Sequence, residues 1–153
     1  MKQWFTVLFM SFLAGCAQGH LDIMDADGKV VGDCSANFDW HWHGAQDSVN
    51  YILNLCAQEH IAKGYAVSDE SILANDYTLP LASKGETWNK ISGQEHFTRG
   101  LISEQQYGYI LAAIEYDYLS KLKHAARQLA ENNINKKQYD HLLMQAKLEF
   151  NGR

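Results

Sequence analysis

Two histidines one residue apart, His41 and His43, lie in the segment 37–47, which reads NFDWHWHGAQD. Side chains two residues apart on an extended strand point to the same face. Asp39, His41 and His43 would therefore share one face, and imidazole and carboxylate groups are ligands of Zn²⁺. The spacing makes these three residues a candidate zinc site, and a zinc-binding protein that acts as a hydrolase is one interpretation of the chain.

The same segment has a second interpretation, a half-buried strand without a metal. From 33 to 43, apolar residues alternate with polar ones, and the apolar set is Cys34, Ala36, Phe38, Trp40 and Trp42. A period of two predicts a strand with one face in the core, and the histidines then face solvent because the tryptophans need the core. No HExxH or CxxC motif accompanies them. We therefore favour a strand that holds no cofactor and keep zinc as the alternative.

The beginning of the chain has the features of a targeting segment. One lysine, Lys2, precedes an apolar stretch over 4–13 that is too short to span a bilayer comfortably. The stretch ends in Leu13-Ala14-Gly15-Cys16, which resembles the lipobox of bacterial lipoprotein precursors. The resemblance implies that 1–15 is a signal peptide cleaved before Cys16. It also implies that the Cys16 sulfur and the new amino group carry acyl chains such as palmitate, and that 16–20 is a lipidated tether.

The expected location is the cell envelope. Ala17 follows the cysteine, and by resemblance to enterobacterial lipoproteins this implies the outer membrane, facing the periplasm. Membrane lipid is then a partner through Cys16, since acyl chains anchor a protein in proportion to the methylenes they bury. The formal net charge of −5 argues against nucleic acid as a partner, because phosphate binding needs a basic face.

Two further cysteines, Cys34 and Cys56, remain once Cys16 is lipidated, and an oxidising compartment favours their pairing. Cys34 is on the predicted buried face of the strand. Cys56 is on the apolar stripe of a predicted helix, together with Val49 and Leu53. Both periodicities direct a sulfur into one core, so the sequence predicts a Cys34–Cys56 disulfide. Two free buried thiols are the alternative.

The predicted fold is α+β and mostly α, with an N-terminal β-hairpin packed on a bundle of helical hairpins in one domain, 21–153. The hairpin covers 21–43 and turns at Asp27-Gly28. Asp25 and Asp27 also begin a calcium-loop pattern, but the closing carboxylate is missing, so the segment is interpreted as a turn. Helical periodicity and stop signals predict helices over about 47–63, 69–75, 87–99, 104–130 and 136–150.

A weak repeat runs through the helical part. Each copy joins a helix stop, a β-branched residue, a polar cap and a new helix. The β-branched residues are Val67, Ile102 and Ile134, and the caps are Ser68, Ser103 and Asn135. The triplet Gln-Glu-His precedes the first two corners and ends at His60 and His96, so the repeat explains it without acid–base chemistry. The last copy, on Ile134, Tyr139 and Leu143, resembles the short C-terminal helical domain of many bacterial proteins.

Two tyrosines are candidates for partner binding. Tyr109 and Tyr116 lie seven residues apart on the helix over 104–130, off its core stripe, and therefore share a second face. Exposed aromatic side chains are typical of protein–protein contacts, and packing against the hairpin or the loop over 76–90 is the alternative. The sequence thus predicts a non-enzymatic envelope lipoprotein that binds an unidentified envelope protein or supports an envelope assembly.

Overall fold

A computed structural model of the protein describes residues 17–38, 41–83 and 85–152. The predicted signal peptide, the predicted lipidation site Cys16 and the candidate ligand Asp39 lie outside the described residues. The fold is α+β and mostly helical, as predicted, with a small antiparallel sheet at the N-terminal end. The strands are β1 (Ala17–Met24), β2 (Val30–Phe38) and β3 (Ala66–Val67), in the order β2-β1-β3.

The predicted β-hairpin is confirmed in β1 and β2. Leu21 pairs with Cys34, and the Asp25 carboxylate accepts the N–H groups of Asp27 and Lys29 at 3.0 Å across the turn. Gly28 completes the turn with φ +78°, a conformation that costs glycine little. Asp25 therefore acts as a turn residue.

Two predicted boundaries of the hairpin are wrong. The predicted tether over 17–20 is strand, because β1 starts at Ala17, where it pairs with Phe38. The predicted strand through His43 is also wrong, since β2 ends at Phe38 and residues 41–44 form a turn. Trp42 is 81% exposed, so the alternation of buried tryptophans does not continue to this position.

The turn over 41–44 leads into a close contact between backbones. The first helix starts directly after Gly44, whose φ is +66°. A Cβ at Gly44 would lie 2.6 Å from the carbonyl oxygen of Glu104, and one at Gly108 would overlap the Gly44 carbonyl oxygen. The turn over 41–44 places these two glycines in contact, which a pattern of side chains does not reveal.

The helices are close to those predicted, with one exception. The segment predicted as a helix over 69–75 is a single 3₁₀ turn (Glu70–Leu73) capped by Asp69. The α-helices are α1 (Ala45–Ile61), α2 (Lys90–Thr98), α3 (Glu104–Ala130) and α4 (Lys136–Asn151). None of the described helices is long and apolar enough to cross a membrane.

Two of the three predicted helical corners are confirmed. Ser103 and Asn135 cap α3 and α4, each in a capping box, which satisfies N–H groups that have no partner within the helix. The first corner differs because Val67 pairs with Ile23 in the sheet. Ser68 accordingly accepts the N–H of Asp22 instead of capping a helix.

Two hydrophobic clusters form the interior. The first lies between the sheet and α1 and includes Leu21, Ile23 and Val49. The second gathers around the N-terminal half of α3, with Ile110 and Leu111 fully buried. Helix α4 packs along α3 but buries Ala146 alone among its described residues. The N-terminal part of the chain is therefore densely packed, whereas α4 keeps most of its surface in solvent.

Candidate functional site

The histidine pair that motivates the zinc hypothesis is engaged with protein atoms. The His41 Nδ1–H donates to the carbonyl oxygen of His43 at 2.9 Å, and His41 Nε2 lies 3.3 Å from Ser48 Oγ. His43 is exposed, with Nδ1 3.6 Å from a carboxylate oxygen of Glu104 and its ring 5.0 Å from that of Phe97. Asp39 lies outside the described residues.

Geometry does not favour zinc at these positions. Within the described part of the chain, no group of three His, Cys, Asp or Glu side chains that includes His41 or His43 brings its ligand atoms close enough to share an ion. Both ring nitrogens of His41 already face protein atoms, whereas a ligand nitrogen must point its lone pair at the metal. The arrangement fits a structural histidine at the start of α1.

The pair formed by Ser48 and His41 superficially resembles a nucleophile and its base. However, Ser48 is fully buried and its hydroxyl donates to the Gly108 carbonyl oxygen at 2.7 Å. A nucleophile must reach a substrate, and this hydroxyl has no path to one. Ser48 instead fastens α1 to α3 where Gly44 and Gly108 meet.

Burial lowers the pKa of His41 below its ordinary value, although the hydrogen bond to the His43 carbonyl and the negative charge of Glu115 act in the opposite direction. Desolvation penalises the cationic form of a histidine. The neutral imidazole is therefore the favoured state of His41 in the folded protein.

His41 also borders a groove that the sequence does not predict. The groove has a volume of about 990 Å³ and lies between α2, α3 and α4. Its apolar lining consists of Ile91, Leu111, Met144 and Leu148, and its charged lining consists of Lys90, Glu95 and Lys147. A cavity of this size is at the upper end of the range for ligand pockets, about 300–1,000 Å³.

Three large apolar side chains of this groove are about half exposed: Ile91 at 43%, Met144 at 54% and Leu148 at 48%. Met144 and Leu148 are four residues apart and lie on the same face of α4, and Ile91 stands on α2. Apolar side chains gathered around one concave surface differ from the single exposed leucines found on most proteins. We name this surface, formed by Ile91, Met144 and Leu148, the apolar groove.

The floor of the apolar groove is rigidly positioned. The ring of Tyr107 stacks on Phe97 with centroids 4.6 Å apart, and the Tyr107 hydroxyl donates to Gln94 Oε1 at 2.7 Å. Burial raises the pKa of Tyr107, which keeps the phenol protonated as a donor. Packing of α2 on α3 therefore fixes this part of the groove, and α4 contributes Met144 and Leu148.

The structure corrects the predicted tyrosine surface. Tyr109 is only 3% exposed and packs against Tyr77 and Tyr51, with ring centroids 5.0 and 5.7 Å away. The alternative, packing against the loop over 76–90, is thus confirmed for Tyr109, while Tyr116 is exposed at 49%. The two residues form no common exposed surface, because Tyr77 of the loop covers the face that Tyr109 occupies.

The predicted disulfide is confirmed by the positions of its cysteines. Cys34 of β2 and Cys56 of α1 are joined, with their Cα atoms 6.0 Å apart. The bond ties the sheet to the first helix inside the first hydrophobic cluster. A cross-link of this kind stabilises the fold chiefly by restricting the unfolded chain.

Sequence analysis did not predict the residues of the apolar groove, because they lie outside the periodic apolar stripes from which the helices were predicted. The stripe that packs α4 on its neighbours passes through Ala146 and Phe150, and Met144 and Leu148 lie outside it. Apolar residues at a spacing of four on the polar side of a helix are the feature that could have pointed to this surface.

No protein-family model matches the chain, and no curated protein or solved structure is significantly similar to it.

Proposed function

We propose that this protein is a non-enzymatic cell-envelope lipoprotein, anchored through lipidated Cys16, whose helical part binds another envelope protein in the apolar groove. The observation that carries the proposal is the exposure of Ile91, Met144 and Leu148 around one groove. Covering a half-exposed side chain of this size contributes about 1 kcal/mol, so the three together supply a useful part of a binding free energy.

The edge of the groove indicates the chemistry of the partner. Lys147 lines it, and Glu95, the carboxylate among its described lining residues, is paired with Arg99 at 3.2 Å. The positive charge of Lys147 favours a partner with acidic side chains, since complementary charge steers association. A helix with one apolar face and acidic flanks fits best, because such helices bind in grooves through residues three and four positions apart.

The anchor supports a partner close to the membrane. β1 begins at Ala17, directly after the proposed lipidation site, so hardly any flexible chain separates the acyl groups from the folded sheet. A folded domain held in this way reaches only proteins at the same membrane surface. This closeness favours an envelope protein as the partner.

Lipidation is tested by mass spectrometry of the full-length protein recovered from bacterial membranes. We expect a mature chain that starts at Cys16 and carries acyl groups, and a Cys16→Ser variant that stays unprocessed and unacylated. A mature wild-type protein that starts at another residue or carries no acyl group would contradict the anchor.

The binding site is tested by placing a photoreactive amino acid in the full chain at position 144, with position 119 as the matched control. Met144 and Leu119 are both 54% exposed, but only Met144 lines the groove. We expect a defined cross-linked product from position 144 in intact cells, lost when Leu148→Asp is added, and none from position 119. Identical products from both positions, or a product that is insensitive to Leu148→Asp, would contradict the proposal.

A further inference from the structure

A second cluster of chemically capable side chains surrounds the disulfide. One ring nitrogen of His60 and the sulfurs of Cys34 and Cys56 all lie within 4.8 Å of one another. Cys34 comes from β2, whereas Cys56 and His60 are four residues apart on α1 and share one face of that helix. Within the described residues, this is the group of three His, Cys, Asp or Glu side chains whose ligand atoms converge closely enough for a metal ion.

One ring nitrogen of His60 has no hydrogen-bond partner among the described residues. Its Nδ1 is buried and is the buried side-chain polar atom that finds no hydrogen-bond partner in the described part of the chain. Buried polar atoms in native proteins nearly always have a partner, so an orphaned one calls for an explanation. The contact recorded for the His60 ring is an edge contact with Tyr65, at 6.0 Å between centroids, which leaves Nδ1 unsatisfied.

The repeated triplet provides an internal comparison. His96 ends the second Gln-Glu-His triplet, and its Nδ1–H donates to the carbonyl oxygen of Ser92, four residues earlier, at 2.8 Å. The residue four positions before His60 is Cys56, and Nδ1 of His60 makes no such bond. The same local sequence therefore has one histidine whose Nδ1 reaches the carbonyl oxygen four residues earlier and one, near the disulfide, whose Nδ1 does not.

We propose that Cys34, Cys56 and His60 form a redox-gated site for a thiophilic divalent cation such as Zn²⁺, available only when the disulfide is reduced. Two thiolates and one imidazole are a common ligand set for zinc, with a fourth position for water or another ligand. At a Zn–S distance of about 2.3 Å, two thiolates on a tetrahedral ion are about 3.8 Å apart. Side chains on Cα atoms separated by 6.0 Å reach this spacing by rotation.

The redox step is a thiol–disulfide exchange with a dithiol reductant. A thiolate of the reductant attacks the sulfur of Cys56, the partly exposed member of the pair, since Cys34 is only 2% exposed. The protein S–S bond breaks, the reductant forms its own disulfide, and two thiols remain on the protein. The cation then displaces two protons from these thiols and accepts the lone pair of the neutral His60 imidazole. When a disulfide oxidant accepts the two electrons by thiol–disulfide exchange and is reduced to a dithiol, the Cys34–Cys56 bond reforms and the cation leaves.

The test uses the full chain in detergent with Cys16→Ser in every sample, so that Cys34 and Cys56 are the only cysteines. Zn²⁺ alone and Co²⁺ alone are added to oxidised protein and to protein reduced with a dithiol that is then removed without air. The readouts are bound metal per chain, thiolate-to-cobalt absorption, and circular dichroism to follow the fold. His60→Ala is compared with His96→Ala, its matched control from the repeated triplet.

We expect one Zn²⁺ per reduced chain, no binding to the oxidised chain, and thiolate-to-cobalt absorption with Co²⁺. Loss of a hydrogen-bond partner of a ligand weakens metal sites by about 10–100-fold, so His60→Ala, which removes a ligand itself, should weaken binding at least that much. His96→Ala should bind as the parent does.

The inference is overturned if the reduced chain takes up no metal, if the oxidised chain binds equally well, or if His60→Ala binds like His96→Ala. It is also overturned if the reduced chain unfolds and zinc does not restore its helical signal. The inference is independent of the proposed function, because neither the lipid anchor nor the apolar groove enters it.

Discussion

The sheet with α1 and the hairpin of α3 with α4 are stabilised in different ways. Helix α1 buries five residues over its seventeen, packs on the sheet and is joined to it by the disulfide. Helix α4 is of similar length, yet among its described residues only Ala146 is buried. The first region is stabilised by a core and a covalent bond. In the second, the core lies in α3 around Ile110 and Leu111, and α4 must depend mainly on local interactions.

Local interactions are abundant in the α3–α4 hairpin. Asn135 and Gln138 form a capping box at the start of α4, and Lys121 lies 2.6 Å from both Asp117 and Glu149. These hydrogen bonds raise the pKa of Lys121, but exposed ion pairs contribute little to stability. The sheet–α1 region is therefore the scaffold of the protein. The hairpin keeps apolar side chains such as Met144 on its surface, which suits a binding element.

We expect the largest difference in stability from a matched pair of leucine substitutions, one in each region. Leu53 of α1 is 5% exposed and Leu148 of α4 is 48% exposed. Leu53→Ala should lower the free energy of unfolding by about 2–5 kcal/mol because it leaves a cavity in the core. Leu148→Ala should lower it by only about 1 kcal/mol or less, because half of the side chain is already in solvent. Urea denaturation of both variants measures the two values, and equal losses would show that α4 is as tightly packed as α1.

The contact of Gly44 with Gly108 joins the two regions, and Gly108→Ala tests it. The new methyl group would overlap the Gly44 carbonyl oxygen and lie 2.9 Å from the Asp47 Cβ. We expect a loss of about 1–3 kcal/mol, as for other overpacked sites, measured by thermal or urea denaturation. Gly32→Ala is the control, because its Cβ would meet nothing closer than 3.9 Å. A Gly108→Ala protein as stable as the Gly32→Ala protein would mean that the helices can separate without cost.

Removal of the helix caps separates global from local stability. Ser103→Ala and Asn135→Ala each delete one capping box and should cost about 1 kcal/mol. Ser103 precedes the buried half of α3, so its loss should lower the stability of the whole fold. Asn135 precedes α4, and its loss should mainly accelerate amide hydrogen exchange within α4. If both variants showed the same exchange pattern, the hairpin would unfold together with the scaffold.

The sequence was informative where one periodic pattern determined one element. The long helix α3, the capping residues Ser103 and Asn135, and the Cys34–Cys56 pair all follow from spacing and residue type alone. In each case the interaction is local or two buried faces converge, so the spacing of residues along the chain is enough to predict the contact.

Sequence reasoning failed where distant segments meet. The alternation over 33–43 predicted a strand through His43, but the turn over 41–44 places Gly44 in contact with Gly108, and glycine leaves no periodic signal. Tyr109 was assigned to an exposed face because Tyr77, which covers it, belongs to an irregular loop. The apolar groove combines residues from α2, α3 and α4, and its existence depends on a packing arrangement that no single helix specifies.

The smallest expected effect concerns His41, which lies between the scaffold and the apolar groove, with its ring 5.5 Å from Phe38. Burial lowers the pKa of His41 in the folded protein below its ordinary value of 6.5. Above pH 6.5 the residue is neutral in both the folded and the unfolded chain, so its contribution is fully present. As the pH falls below 6.5, the unfolded chain takes up a proton first, and stability decreases until the folded pKa is passed.

His41→Gln should therefore remove part of the loss of stability on acidification below neutral pH, while the exposed His43→Gln serves as the control and should leave the loss in place. Denaturation midpoints measured over this pH range for the three proteins decide the matter. A wild-type protein that gains stability on acidification, or a His43→Gln variant that behaves as His41→Gln does, would contradict the assignment. If instead the loss of stability on acidification is reduced only in His41→Gln, protonation of this one residue weakens the contact between the sheet–α1 scaffold and the apolar groove.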